Sequence, residues 1–192
     1  MKKKVIMFLL LTAVNMSALR ADDWPEFRGY SRSGFSAETG LLEKWPEAGP
    51  QLLWSASGLG LGWSSVSVVD DIVYTAGMDN QSKQGAVFAF DKDGKPLWKE
   101  VYGPEYTKSF PGARNTPTYA NGRLYMNSGL SQVVCMDAKT GEKIWDVNAG
   151  QIYQGQTGAW GASDSVLIYD DLAIVTPGGK LASVVALDAE SG

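Results

Sequence analysis

Cys135-Met136-Asp137-Ala138-Lys139-Thr140-Gly141-Glu142-Lys143-Ile144-Trp145 decides the fold of this chain, because it occurs again on both sides of itself. Upstream stands Ala89-Phe90-Asp91-Lys92-Asp93-Gly94-Lys95-Pro96-Leu97-Trp98, and downstream Ala186-Leu187-Asp188-Ala189-Glu190-Ser191-Gly192. Each copy sets a small and a large apolar residue before an Asp, then a turn ending in Gly. Where the chain continues, a Trp follows four residues after that Gly. The Asp recurs at 91, 137 and 188, a period of 46 and then 51 residues. A period of that size, carried by strand and turn signals, predicts radially repeated β-sheet units, the blades of a propeller.

Ahead of each copy lies an apolar hairpin. Val66-Ser67-Val68-Val69 and Ile72-Val73-Tyr74 flank Asp70-Asp71; Pro117-Thr118-Tyr119-Ala120 and Arg123-Leu124-Tyr125-Met126 flank Asn121-Gly122; Val166-Leu167-Ile168-Tyr169 and Leu172-Ala173-Ile174-Val175 flank Asp170-Asp171. Short β-branched and aromatic runs joined by two turn residues are hairpin signals. With the strands on either side of the Asp–Gly turn they make four strands per unit. The expected fold is therefore all-β, a propeller of four-stranded antiparallel blades at about 64–100, 114–147 and from 163, with residues 22–63 as a lead-in and ring-closing strand. Propellers close with about four to eight blades, and the third copy stops at Gly192. The chain is thus read as part of a larger ring, up to eight-bladed, continuing with a strand and a Trp.

Lys2, Lys3 and Lys4 followed by the apolar run Val5–Val14 and a small residue at Ala21 have the architecture of a secretory signal peptide, residues 1–21. The run of ten is half the roughly 20 residues a membrane-spanning helix needs. The expectation is an exported, periplasmic or secreted protein with no transmembrane segment after cleavage. Without residues 1–21 the balance of 17 basic against 21 acidic residues becomes 13 against 21, a net charge of −8, which disfavours nucleic acid as a partner. The chain has no His, so Ser-His-Asp and Cys-His catalysis and His-ligated metals are excluded. Cys135 has no partner for an internal disulfide and occupies the small-residue position held by Ala89 and Ala186, which predicts a buried packing role.

The copies resemble the tryptophan-docking repeat of the pyrroloquinoline quinone (PQQ) propeller superfamily, A-x-D-x-x-T-G-x-x-x-W. Cys135–Trp145 departs from it only by Cys for Ala; Ala89–Trp98 lacks one turn residue and the Thr; Ser191 stands at the Thr position of the last copy. Asp23-Trp24-Pro25-Glu26-Phe27-Arg28-Gly29, with Trp45–Pro50 and Leu53-Trp54, is similar to the lead-in of exported PQQ-like propellers. The resemblance implies structural docking roles for Trp54, Trp98 and Trp145 and for the turn glycines Gly94 and Gly141. It also implies one of two functions. One branch of the superfamily is PQQ- and calcium-dependent dehydrogenases that oxidise alcohols or sugars; the other is non-catalytic scaffolds, including one in outer-membrane assembly. The alcohol dehydrogenases stack PQQ on a disulfide of adjacent cysteines, which one Cys cannot form, and no haem-binding motif is present. The favoured expectation is a non-catalytic ligand-binding or interaction scaffold in the cell envelope, the dehydrogenase being the alternative. PQQ with calcium is then the cofactor pair to test; no catalytic residue or metal ligand is assigned.

Three segments enter the innermost strands of successive blades: Gly60–Ser65, Phe110–Thr116 and Gly158–Asp164. Equivalent by register, they are expected to converge on the central funnel. Trp63 and Trp160 offer flat apolar walls, Arg114 a fork for carboxylates, and Asn115 and Asp164 further polar contacts to a small molecule or an envelope protein or peptide. The competing reading is that Arg114 pairs with an acid of the next blade while both Trp residues plug the ring. Asp70-Asp71 and Asp170-Asp171 are turn residues, Asp79–Gln84 is read as a solvated loop, and Asp91–Gly94 as a tight turn.

Overall fold

The computed structural model describes residues 22–192; the signal-peptide expectation lies outside the described residues. Three antiparallel sheets stand side by side. The first runs β1 (Ser67–Val69), β2 (Ile72–Met78), β3 (Gln84–Asp91) and β4 (Pro96–Pro104), and the second β5 (Thr118–Ala120), β6 (Arg123–Asn127), β7 (Gln132–Asp137) and β8 (Lys143–Asn148). The third has three strands among the described residues, β9 (Leu167–Tyr169), β10 (Leu172–Val175) and β11 (Val185–Asp188). Each strand pairs with its sequence neighbours, so every sheet is an up-and-down meander, the topology of a propeller blade. The fold is a partial β-propeller. The one α-helix among the described residues, α1 (Ala149–Ile152), is a single turn capped by Asn148, whose Oδ1 accepts from the N–H of Gln151 at 2.8 Å.

Blades pack face to face, and strand periodicity decides what packs where. Along β7, Val134 and Met136 join Tyr74, Val87, Ala89 and Leu124 in the core between blades one and two. Val133 and Cys135 point the other way, into the core with Val166, Ala173, Val175 and Leu187 of blade three. A strand buried on both faces has no polar alternation to keep, which is why β7 reads as an unbroken apolar run. Full burial of each such side chain contributes about 1.5–3 kcal/mol. Cys135 is fully buried, and burial pushes its thiol up to about 11, far from the thiolate a nucleophile needs.

The repeated Trp residues bridge blades. The Trp98 ring lies on Gly141 of blade two, and its Nε1 donates to the Ala138 carbonyl at 3.2 Å. Trp145 does the same on Gly192, donating to Ala189 at 3.2 Å, and Trp54 on Gly94, donating to Lys92 at 2.9 Å. The Trp of one unit thus docks on the turn of the next. A Tyr shares each carbonyl between complete units: the hydroxyls of Tyr74 and Tyr125 donate to Ala138 and Ala189 at 3.1 Å. No strand forms around Trp54 among the described residues.

The exposed loop between β2 and β3 is short. β2 and β3 extend across Gly77 and Gly85, leaving only residues 79–83 between them. Asp79 Oδ1 accepts from the N–H groups of Gln81 and Ser82 and from the Ser82 hydroxyl, at 3.0, 2.7 and 2.9 Å. Asp137 does likewise with Lys139 and Thr140, and Asp188 with Glu190 and Ser191. Asp-x-x-Ser/Thr is one turn used three times.

Candidate functional site

Residues 60–63 run beside blade one: Leu61 pairs with Met78, and the Trp63 N–H donates to the Ala113 carbonyl of the next segment at 2.6 Å. That register places Trp63 beside Phe110, which in turn meets Trp160. Ring centroids are 6.0 Å apart in the first pair, edge to face, and 5.6 Å in the second, stacked. Trp63, Phe110 and Trp160 are 64%, 58% and 61% exposed, and the three form an open aromatic wall. A cavity of about 340 Å³ lies against it, lined by Trp63, Phe110, Arg114 and Ser163.

Arg114 stands behind the wall. Its guanidinium donates to the carbonyls of Ser109 and Phe110 at 3.1 and 2.6 Å and to that of Trp160, and lies 5.0 Å over the Tyr106 ring. In place of the acid of the next blade in the competing reading, main-chain carbonyls accept from the guanidinium. Arg114 thereby ties the two loops that carry Phe110 and Trp160.

Beneath it, buried Glu105 joins blades one and two. Its carboxylate accepts from the Tyr102 hydroxyl at 2.5 Å and from the N–H groups of Tyr106 and Gly129 at 3.1 and 2.8 Å. Burial raises the pKa of Glu105, against the pull of those three donors and of Arg114, and raises that of Tyr102 as well. Tyr106 reaches on to the Ala159 carbonyl at 2.7 Å, bracing the loop of Trp160.

Asn115 and Asp164 belong to a second, inner group. Asn115 is fully buried and donates to the Asn127 carbonyl at 2.6 Å; the Asn127 amide reaches Asp164 Oδ1 at 3.4 Å, and Asp164 Oδ2 accepts from the Thr176 N–H at 2.9 Å. Of the residues picked out in the sequence, Trp63, Arg114 and Trp160 meet through Phe110, whereas Asn115 and Asp164 meet through Asn127. Phe110 was legible as part of a convergent segment. Glu105, Tyr106 and Asn127 carried no repeat signal.

The described residues do not by themselves assemble a site for PQQ with calcium. Arg114 Nη1 and Nη2 are engaged by carbonyls while its Nε is buried without a hydrogen-bond partner, and among the described residues no three His, Cys, Asp or Glu side chains cluster to hold a metal ion. No helix among them is long and apolar enough to cross a membrane.

Known proteins place the chain. A family model described as outer membrane protein assembly factor BamB matches residues 40–192. The alcohol dehydrogenase (quinone), dehydrogenase subunit, of Acetobacter aceti is 31% identical over 137 residues, covering 65% of this chain and 18% of that protein. Quinohemoprotein alcohol dehydrogenase from Comamonas testosteroni superposes with a TM-score of 0.59 at 23% identity, over 88% of this chain and 26% of that one. A europium-containing methanol dehydrogenase gives 0.57 at 21%, over 74% and 26%. At these identities the structural likeness speaks for the fold, and the chain spans under a third of each relative's length. With its three copies of the Asp–Gly turn and a family match running from residue 40 to its last residue, the chain belongs to the PQQ-like repeat propeller family of the outer membrane protein assembly factor BamB.

Proposed function

We propose that the protein is an exported, non-catalytic β-propeller whose funnel face is a docking surface for a small molecule or for an envelope protein or peptide. The observation that carries this reading is the use made of Arg114. A fork free to bind a ligand carboxylate is spent instead on three carbonyls, and its effect is to hold Phe110 and Trp160 beside Trp63 as an exposed wall. Exposed aromatic surface on loops carried by a rigid scaffold marks an interaction site. The assembly-factor description of the family agrees with such a role in the cell envelope.

The second reading, a PQQ- and calcium-dependent dehydrogenase oxidising alcohols or sugars, is favoured by the likeness to the quinone alcohol dehydrogenase subunit. Titrating the full exported protein with PQQ and calcium, followed by dye-linked oxidation of alcohols and sugars, separates the two. The scaffold reading expects neither saturable PQQ binding nor turnover. Saturable binding accompanied by turnover would establish the enzyme instead.

A further inference from the structure

Residues 23–34 lie outside the repeat, yet they touch the inner side of all three blades. In the described sheets β1, β5 and β9 each pair with one neighbour only, which leaves one edge of each facing the axis. On β1, the Trp24 N–H donates to the Val68 carbonyl at 2.7 Å and the Val68 N–H donates back at 2.8 Å. On β5, the Tyr119 N–H donates to the Pro25 carbonyl at 2.8 Å. Val68 and Tyr119 are the central residues of their strands, so the two engaged edges are equivalent. Just ahead of β9, Arg32 Nη2 donates to the carbonyls of Ser165 and Val166 at 3.0 and 2.6 Å, while its Nε pairs with Glu26 at 2.9 Å.

The segment is built to hold this shape. Arg28, Ser31 and Arg32 have φ of 68°, 52° and 53°, a left-handed backbone that non-glycine residues keep only where contacts enforce it. A Cβ on Gly29 would stand 2.6 Å from the Trp24 ring, so the turn closes over its own Trp only because residue 29 is Gly.

We infer that residues 23–34 are an axial strap. It occupies in cis the strand-accepting edges of β1 and β5 and is tied by Arg32 to the segment just ahead of β9. An extended peptide adding to β1 or β5 as a further strand must displace the strap, and the Glu26–Arg32 pair with the two carbonyl bonds is its latch. This inference stands independently of the function proposed above.

Hydrogen exchange on the full chain, resolved to the amides of Val68 and Tyr119, tests it. Both should be protected in the native protein. Arg32→Ala should speed both by about tenfold or more while the central-strand amides of Val87 and Val134 keep their rates, as expected of local opening. Glu26→Gln, which leaves the carbonyl bonds in place, should give a smaller rise and serves if Arg32→Ala does not fold. Trypsin should spare Arg28 in the native chain and cut there in Arg32→Ala. Native exchange at Val68 and Tyr119 as fast as in an unstructured peptide, or rates indifferent to both variants, would overturn the strap.

Discussion

Gly141→Ala tests the inter-blade joint, with Gly122→Ala as its matched control. Both glycines have a φ of 78°. A Cβ at Gly122 meets nothing within 4 Å, whereas at Gly141 it falls 2.6 Å from Cε3 and 2.8 Å from Cδ2 of Trp98. The left-handed backbone costs an alanine about 1–2 kcal/mol at either site. At Gly141 the Trp98 ring must also retreat by roughly 1 Å to regain ordinary carbon–carbon contact, and overpacking of that kind adds about 1–3 kcal/mol. The expected losses are therefore about 1–2 kcal/mol for Gly122→Ala and about 2–5 kcal/mol for Gly141→Ala. In a Trp98→Ala background the Gly141 substitution should fall back to its backbone share, giving a coupling of about 1–3 kcal/mol. Equilibrium urea unfolding followed by far-UV circular dichroism measures all four corners without relying on Trp98 fluorescence. The docking argument is refuted if Gly141→Ala costs no more than Gly122→Ala, or keeps its full cost once the ring is gone.

Stability should respond to pH in two opposite senses. The N–H groups of Ser82, Thr140 and Ser191 hold the carboxyls of Asp79, Asp137 and Asp188 below the ordinary 3.8, so the unfolded chain binds more protons and stability falls as pH drops below that value. Glu105 is raised above 4.5 by burial, so the folded chain keeps the extra proton and stability declines as pH rises past 4.5 towards the folded pKa. Urea midpoints between about pH 3 and 8 should lose only the upper slope in Glu105→Gln; an unchanged upper slope would contradict the assignment. Cys135, buried and with its thiol raised to about 11, should react with a thiol reagent near neutral pH only as fast as the protein unfolds. Immediate labelling of the native protein would show the inter-blade packing to be wrong.

Local chemistry was legible from the residues alone. Asn121-Gly122 and the paired aspartates sit in hairpin turns because their short polar side chains or missing Cβ tolerate the left-handed backbone found there, with φ of 52° and 62° at Asp70 and Asp71. The unbroken apolar runs of β3 and β7 and the returning Asp, Gly and Trp marked the blades, since neighbours in sequence are neighbours in these sheets. The Asp79–Ser82 turn carries the same Asp-x-x-Ser signal, but it stands outside the repeat register because it precedes β3 instead of following it. Tertiary structure alone decided which carbonyl each docking Trp reaches, that Arg114 donates to carbonyls, that Glu105 is buried beside Tyr106, and that residues 23–34 cross three blades. These choices share one physical cause. They are made largely through main-chain N–H and C=O groups, which every residue carries, so the partner is selected by where the backbone passes and leaves no mark in the order of the side chains.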